Sequence, residues 1–240
     1  MPYGGLRKRP GTTFVSEVKD STKKVRVVRF EFNVEQAYIL EFGDQYIRVY
    51  KDHGQVVHVG DFESLSQESR KWKGMDAVGD DIYIAVELGD IYKQTGGVGD
   101  FVGLGQEARK WSGIGGVAGG DVLASVNLGD IYKQTGGVGD FAALGQTSRN
   151  WQDVTKAPNG DEYACEANDI YKRTGGVGAF VALGTGVYGW SGIDAAPNGN
   201  IYACAGSLDI FMQTGGVGAF VALGQGALAW NKISVSDNGD

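Results

Sequence analysis

From Trp72 onward the apolar residues come in short runs broken by glycine or asparagine, and the runs return every 39–40 residues. The stretch "LGDIYKQTGGVGDF" stands at Leu88–Phe101 and again, letter for letter, at Leu128–Phe141; it returns with small changes at 169–180 and 209–220. Trp72, Trp111, Trp151, Trp190 and Trp230 are 39, 40, 39 and 40 residues apart, and Phe62, Phe101, Phe141, Phe180 and Phe220 keep the same step. Such a period marks a repeat architecture. Inside one unit the runs read "WQDVTKA", "PNGDEYACEAN", "DIYKRTGG" and "VGAFVALGTG". None is long enough for a three-turn helix, so each is a strand, here a, b, c and d. "PNGD" at 158–161 and "PNGN" at 197–200 place Asn-Gly at the centre of a tight hairpin, with both central residues at positive φ. Strand alternation then puts Tyr163 and Cys165 on one face and Ala164 on the other, and Tyr202 and Cys204 repeat this.

Four short strands repeated radially make a propeller blade, with the recurring Trp and the aromatic of strand c packed between neighbours. The expected fold is all-β: a five-bladed β-propeller of four-stranded blades with an extended N-terminal arm and hairpin. Residues 1–26 form the basic arm and first hairpin strand, and 27–240 the propeller. Its blades are 72–110, 111–150, 151–189 and 190–229, plus a composite blade of 27–71 with 230–240. In the composite blade Ala37–Phe42 serves as b, Gln45–Lys51 as c and Val57–Ser64 as d, closed by Trp230–Val235. "VRVVRFEFN" at 25–33 is a rival for the a position.

Composition agrees. Glycine, 40 of 240, is about twice its usual share, and proline is scarce at four, as many strands joined by tight turns require. Charge divides the chain: residues 1–30 hold eight bases and two acids, +6, so with a total of −7 the remainder carries −13. A basic arm seeks phosphates, an acidic neighbouring subunit, or water. Its opening bases are followed by no apolar run, so no secretory signal is expected, and no stretch approaches a membrane span. Cys165 and Cys204, 39 residues apart, fill one slot in successive repeats and read as small buried side chains rather than a disulfide.

Catalytic chemistry is sparse. The only histidines, His53 and His58, lie without a metal-ligand pattern, and "TGGVGDF" precedes a strand without a following Lys-Ser/Thr, so it reads as a turn and not a phosphate loop. Asp100 and Asp140 become Ala179 and Ala219, against a repeated carboxylate site. The expectation is a non-enzyme without metal or cofactor. What repeats after strand c is Gln94, Gln134, Arg173 and Gln213, followed by Thr95, Thr135, Thr174 and Thr214. These are turn and cross-strand pairs, or candidate glycan contacts in several weak equivalent pockets. Arg70, Arg109 and Arg149, two before the Trp, can stack on it; Tyr188 and Leu228 at the equivalent places favour packing.

Two resemblances add to this. The first 60 or so residues, through Gly5, Leu6, Arg9, Pro10, Gly11, a hairpin from Phe14 to Phe32 and the run "QAYILEFGDQYIRVYKDHG", resemble the N-terminus of tail nozzle and tail tube proteins of short-tailed bacteriophages. That implies a virion structural protein forming a homo-oligomeric ring around the DNA exit channel, below a portal and adaptor. The candidate subunit contacts are Arg7, Lys8, Arg9, Lys23 and Lys24, with transient DNA contact a further role. The repeats are similar to phage and bacterial propeller repeats of the "NGDIYA…GDIYKQTGG…DFVALGQ…W" type and, more distantly, to five-bladed tachylectin-like sugar binders. The alternative function is therefore a carbohydrate-binding, receptor-recognition propeller.

Overall fold

The computed structural model describes residue 18 and residues 21–31, 37–43, 46–51, 54–56, 67–117 and 120–235. The chain forms two compact units, Met1–Ser64 and Leu65–Asp240. Among the described residues there is no α-helix, and no helix is long and apolar enough to cross a membrane.

The first unit contains one antiparallel meander: β1 (Arg26–Glu31), β2 (Ala37–Gly43), β3 (Tyr46–Lys51) and β4 (Gly54–Val56), hydrogen-bonded in that order. Here β1 pairs with β2 from Arg26↔Phe42 to Glu31↔Ala37, the neighbour relation that strand a has to strand b elsewhere. Buried Glu41 accepts the Tyr50 hydroxyl at 2.5 Å and faces Arg48 at 3.5 Å. The expected strand 57–64 lies outside the described residues.

The second unit repeats one motif four times. The first repeat is β5 (Trp72–Val78), β6 (Asp81–Gly89), β7 (Ile91–Gln94) and β8 (Val102–Gly103). The second is β9 (Arg109–Gly116), β10 (Val122–Gly129), β11 (Ile131–Gln134) and β12 (Ala142–Ala143). The third is β13 (Arg149–Asn150), β14 (Asp153–Lys156), β15 (Glu162–Glu166), β16 (Asp169–Arg173) and β17 (Val181–Ala182). The fourth is β18 (Trp190–Ala195), β19 (Ile201–Ala205), β20 (Ile210–Gln213) and β21 (Val221–Ala222). Strands β14–β17 and β18–β21 are separate four-stranded sheets, whereas the first two repeats merge into one of nine strands. The merger arises because the residues just before each Trp continue the preceding repeat's ladder: Arg109 pairs with Gly89, and Arg149 with Gly129. A repeat is thus hydrogen-bonded to its neighbour before it begins its own sheet.

Both Asn-Gly turns, at 158–161 and 197–200, differ from the expectation, with only Gly160 and Gly199 at positive φ. Asn159 does not adopt positive φ; only Gly160, at 87°, does. Gly160 N–H donates to Ala157 O at 2.9 Å and Ala157 N–H to Asp161 O at 2.8 Å, which is a three-residue loop ending in a left-handed glycine. The reason is Pro158: its ring holds φ near −65°, suited to the first central position of a type I turn and incompatible with the mirror-image turn.

Packing follows the aromatic period. Trp111, Trp151 and Trp190 are almost wholly buried, each edge-on to the strand-c ring of its own repeat at 4.9–5.2 Å and tilted against the following Phe at 5.9–6.4 Å. Each also joins a core cluster shared with the preceding repeat: Trp111 with Ala85 and Ile91, Trp151 with Leu123 and Ile131, Trp190 with Cys165 and Ile170. Strand b has both faces in the core, with Tyr163 and Cys165 in one cluster and Ala164 in the other; both cysteines are buried and free. The arginines before the Trp stack chiefly on the strand-c tyrosine, 4.5–4.7 Å from Tyr92, Tyr132 and Tyr171. In the fourth repeat Tyr188 replaces the arginine and stacks on Phe211 at 5.6 Å with planes 10° apart.

Trp151→Ala is expected to cost about 3–5 kcal/mol in urea unfolding, whereas Val177→Ser, on the surface of the same repeat, should stay within about 0.5 kcal/mol.

Candidate binding site on the axis

The inner strands come closer together than side chains ordinarily allow. A Cβ on Gly113 would lie 2.2 Å from Asp153 Oδ1, and one on Gly115 2.3 Å from the Val154 carbonyl, so only glycine lets β9 and β14 meet there. Residues 230–235 join the same arrangement. Ser191 Oγ donates to the Trp230 carbonyl at 3.1 Å, as Ser112 Oγ donates to that of Trp151 at 2.8 Å. The inner strands β5, β9, β14 and β18 thus face one axis, and Trp230–Val235 lies against β18 beside it.

Two columns of side chains point along it. Two residues after each Trp stand Gly74, Gly113, Asp153, Gly192 and Lys232; four residues after stand Asp76, Gly115, Thr155, Asp194 and Ser234. The carboxylates stitch neighbours together. Asp76 Oδ2 accepts Gly116 N–H at 2.9 Å, Asp153 Oδ2 accepts Ile193 N–H at 3.4 Å, and Asp194 Oδ2 accepts Val235 N–H at 2.7 Å. Thr155 Oγ1 donates to Asp194 Oδ1 at 2.8 Å. Lys232 spans the axis: its Nζ donates to the carbonyls of Ser112 at 3.0 Å and Gln152 at 2.7 Å, and lies 3.1 Å from Asp153.

Burial sets the proton affinities. It pushes Asp153 up to about 6 despite Lys232, and burial reinforced by the facing Asp194 charge pushes Asp76 up to about 8; Asp194 is raised as well. Both cysteine thiols are raised by burial, which suits packing rather than nucleophilic duty. Ser112 and Ser191 donate to backbone carbonyls. Among the described residues no group of three His, Cys, Asp or Glu is placed to hold a metal. Three cavities lie along the axis. One of about 340 Å³ opens between Asp76, Asp194, Pro158 and Pro197; one of about 270 Å³ lies between Met75, Asp153 and Lys232; one of about 320 Å³ forms a polar cup near Lys73, Lys110, Asn127 and Asn231.

The residues singled out in the sequence lie elsewhere. Gln94, Gln134 and Gln213 are buried, their amides donating to the carbonyls of Gly99, Gly139 and Gly218, and buried Arg173 donates to Gly178 O at 2.9 Å and Glu162 at 2.6 Å. They pin the "TGGVG" turn of their own repeat; Thr95, Thr135, Thr174 and Thr214 beside them are exposed. Lys23 and Lys24 are exposed, and Arg7, Lys8 and Arg9, like His53 and His58, lie outside the described residues. The axial Asp and Lys residues were not anticipated. The signal for them is the column two and four places after each Trp, where charge alternates with glycine.

No protein-family model matches the chain, and no curated protein matches it. Solved structures do. A streptogramin B lyase aligns over 93% of this chain and 77% of its own, with 18% identity and a TM-score of 0.54. A catalytically inactive virginiamycin B lyase from Staphylococcus aureus, with quinupristin, aligns over 89% and 79%, with 11% identity and a TM-score of 0.54. YCF48 bound to a D1 peptide aligns over 78% of this chain, which spans 64% of its length, with 12% identity and a TM-score of 0.50. At these identities the likeness shows a β-propeller-like fold alone.

The raised axial carboxylates fix a pH dependence. Between the ordinary carboxylate range and their raised values the folded state holds more protons than the unfolded, so their contribution to stability declines as pH rises through that window. Asp121, Asp161 and Asp169, lowered by lysine or hydrogen-bond partners that outweigh burial, act oppositely: they contribute stability above the ordinary range that is lost on acidification. Asp76→Asn should therefore flatten the fall of the urea midpoint between about pH 5 and pH 8.

Proposed function

We propose that the chain is a non-catalytic structural protein of a bacteriophage virion, a tail nozzle- or tail tube-like component of a homo-oligomeric ring. In this reading a five-bladed propeller is carried on the basic arm, and the arm docks on neighbouring subunits and adaptor- or portal-proximal tail proteins. The observation that carries it is the surface pattern. The repeated polar side chains are bonded inside the fold, while Val98, Val138, Val177 and Val217 stand 70–73% exposed at one equivalent place in every repeat. A regularly repeated apolar surface suits docking rather than chemistry. The basic residues Arg7, Lys8, Arg9, Lys23 and Lys24 supply the arm's attraction for an acidic neighbour, and contact with DNA is secondary to it.

Five blades are supported by an open place in the four-repeat array. Gln67, Gln106 and Gln146 each accept the N–H of the next repeat's Phe, Phe101 at 3.3 Å, Phe141 at 3.1 Å and Phe180 at 3.0 Å. Tyr83 and Tyr163 donate likewise to Gly137 at 3.3 Å and Gly216 at 3.1 Å. Among the described residues Tyr202 has no such bond, and Met75 is 59% exposed where Ile114 and Ile193 are 3% and 2% exposed. The repeat frame assigns a fifth blade to 27–71 with 230–240.

Two measurements follow. Light scattering behind a sizing column should find a multi-subunit species at low salt that dissociates near 0.5 M salt, as screened charge pairs do, and that is lost when Arg7, Lys8 and Arg9 are all changed to Gln. A salt-independent monomer that the triple change leaves unaltered would contradict the assembly reading. Separately, Met75 in the intact chain should resist peroxide oxidation if the fifth blade covers it; rapid oxidation would count against five blades.

A further inference from the structure

The cup at the tryptophan end of the axis differs from the other two axial cavities in gathering three lysines. Residues 65–240 carry 12 Lys and Arg against 20 Asp and Glu, a net of −8, yet Lys73, Lys110 and Lys232 converge on this one mouth with only Glu87 as acid on its lining. Most other lysines of the unit are held by aspartates: Lys93 by Asp81, Lys133 and Lys156 by Asp121, and Lys172 by Asp161. Lys73 shares Glu87 at 3.4 Å, Lys232 is anchored to Asp153, and exposed Lys110 forms no ion pair among the described residues. A basic mouth in an acidic body concentrates anions at that point.

The remaining lining selects among anions. Asn127, Gln152 and Asn231 present amides, which both donate to and accept from hydroxyl groups, and the half-buried ring of Trp72 adds an apolar wall. Deeper in, the axis is lined by the hydrogen-bonded Asp153, Asp76 and Asp194 and by no further lysine beyond Lys73 and Lys232. At about 320 Å³ the cup is at the small end of ligand sites and takes a group of about one ring.

We infer that the axial cup formed by Lys73, Lys110, Asn127, Asn231 and Lys232 binds an acidic sugar, its carboxylate between Lys73 and Lys110 and its hydroxyls on the amides. This gives the carbohydrate-binding alternative an axial site in place of the blade turns, and it is independent of the assembly reading. Titration calorimetry on the full chain tests it with D-glucuronate, D-glucose and inorganic phosphate as probes. Glucuronate should bind saturably, more tightly than phosphate, while glucose at the same concentrations shows no heat. Lys110→Gln, at an exposed position, should weaken glucuronate about tenfold with an unchanged melting temperature, the loss of one charge-assisted bond. Asn231→Ala should weaken glucuronate and leave phosphate unaffected. Absence of glucuronate binding, glucose binding as tightly, or indifference to Lys110→Gln would overturn the proposal; phosphate binding as tightly as glucuronate would overturn its sugar component.

Discussion

The close approach of the inner strands is the constraint from which the rest of the second unit follows. With Gly113 and Gly115 stripped of side chains, β9 and β14 meet nearly backbone to backbone, and no apolar side chain stands between them there. What fits there is small or hydrogen-bonded. Aspartates reach sideways to the neighbouring strand's N–H groups, at Gly116, Ile193 and Val235, and Lys232 ties three carbonyl and carboxylate oxygens across the centre. Burying these charges is unfavourable in itself, and the raised proton affinities of Asp76 and Asp153 register it. Strands that converge on an axis diverge away from it, so bulk is needed outward: the tryptophans and the strand-c aromatics fill that widening wedge.

Repetition answers a second need. A sheet of four short strands with both faces of strand b apolar cannot bury itself alone, and only a copy on each side covers it. Most of the polar side chains that recur therefore have a joining task. Asp90, Asp130, Asp169 and Asp209 each receive two N–H groups from the loop after strand d, the glutamines of that loop clasp the next repeat, and Asp81, Asp121 and Asp161 hold the "TGG" turn. Little polar functionality remains for chemistry on the blades. The inferred ligand site falls on the axis, where the sequence is least repetitive.

Much of this was legible from the chain. The tryptophan period, the glycine punctuation and the alternation in "YAC" are consequences of local geometry, and local geometry is written in neighbouring residues. The "PNGD" turn misled because Asn-Gly was read without the constraint that Pro158 imposes one place earlier. The merger of two sheets went unseen because pairing of Arg109 with Gly89 depends on where the chain re-enters, which no periodicity encodes. The roles of Gln94, Gln134 and Gln213 were ambiguous for a similar reason: a repeated amide after a strand looks the same whether it faces solvent or a turn carbonyl. The axial charges are hidden in the columns after the tryptophans, since Asp76, Asp153 and Asp194 break the repeat and leave no periodic signal.

That the last segment, Trp230–Val235, belongs to the ring of inner strands is the central claim, and amide hydrogen exchange tests it most directly. The Val235 N–H, donated to Asp194, should exchange as slowly as the equivalent Gly116 amide and the Ile193 amide donated to Asp153, all three opening only with global unfolding. Exchange of Val235 orders of magnitude ahead of the other two would show the segment to be an appendage, and its place beside β18 would not stand.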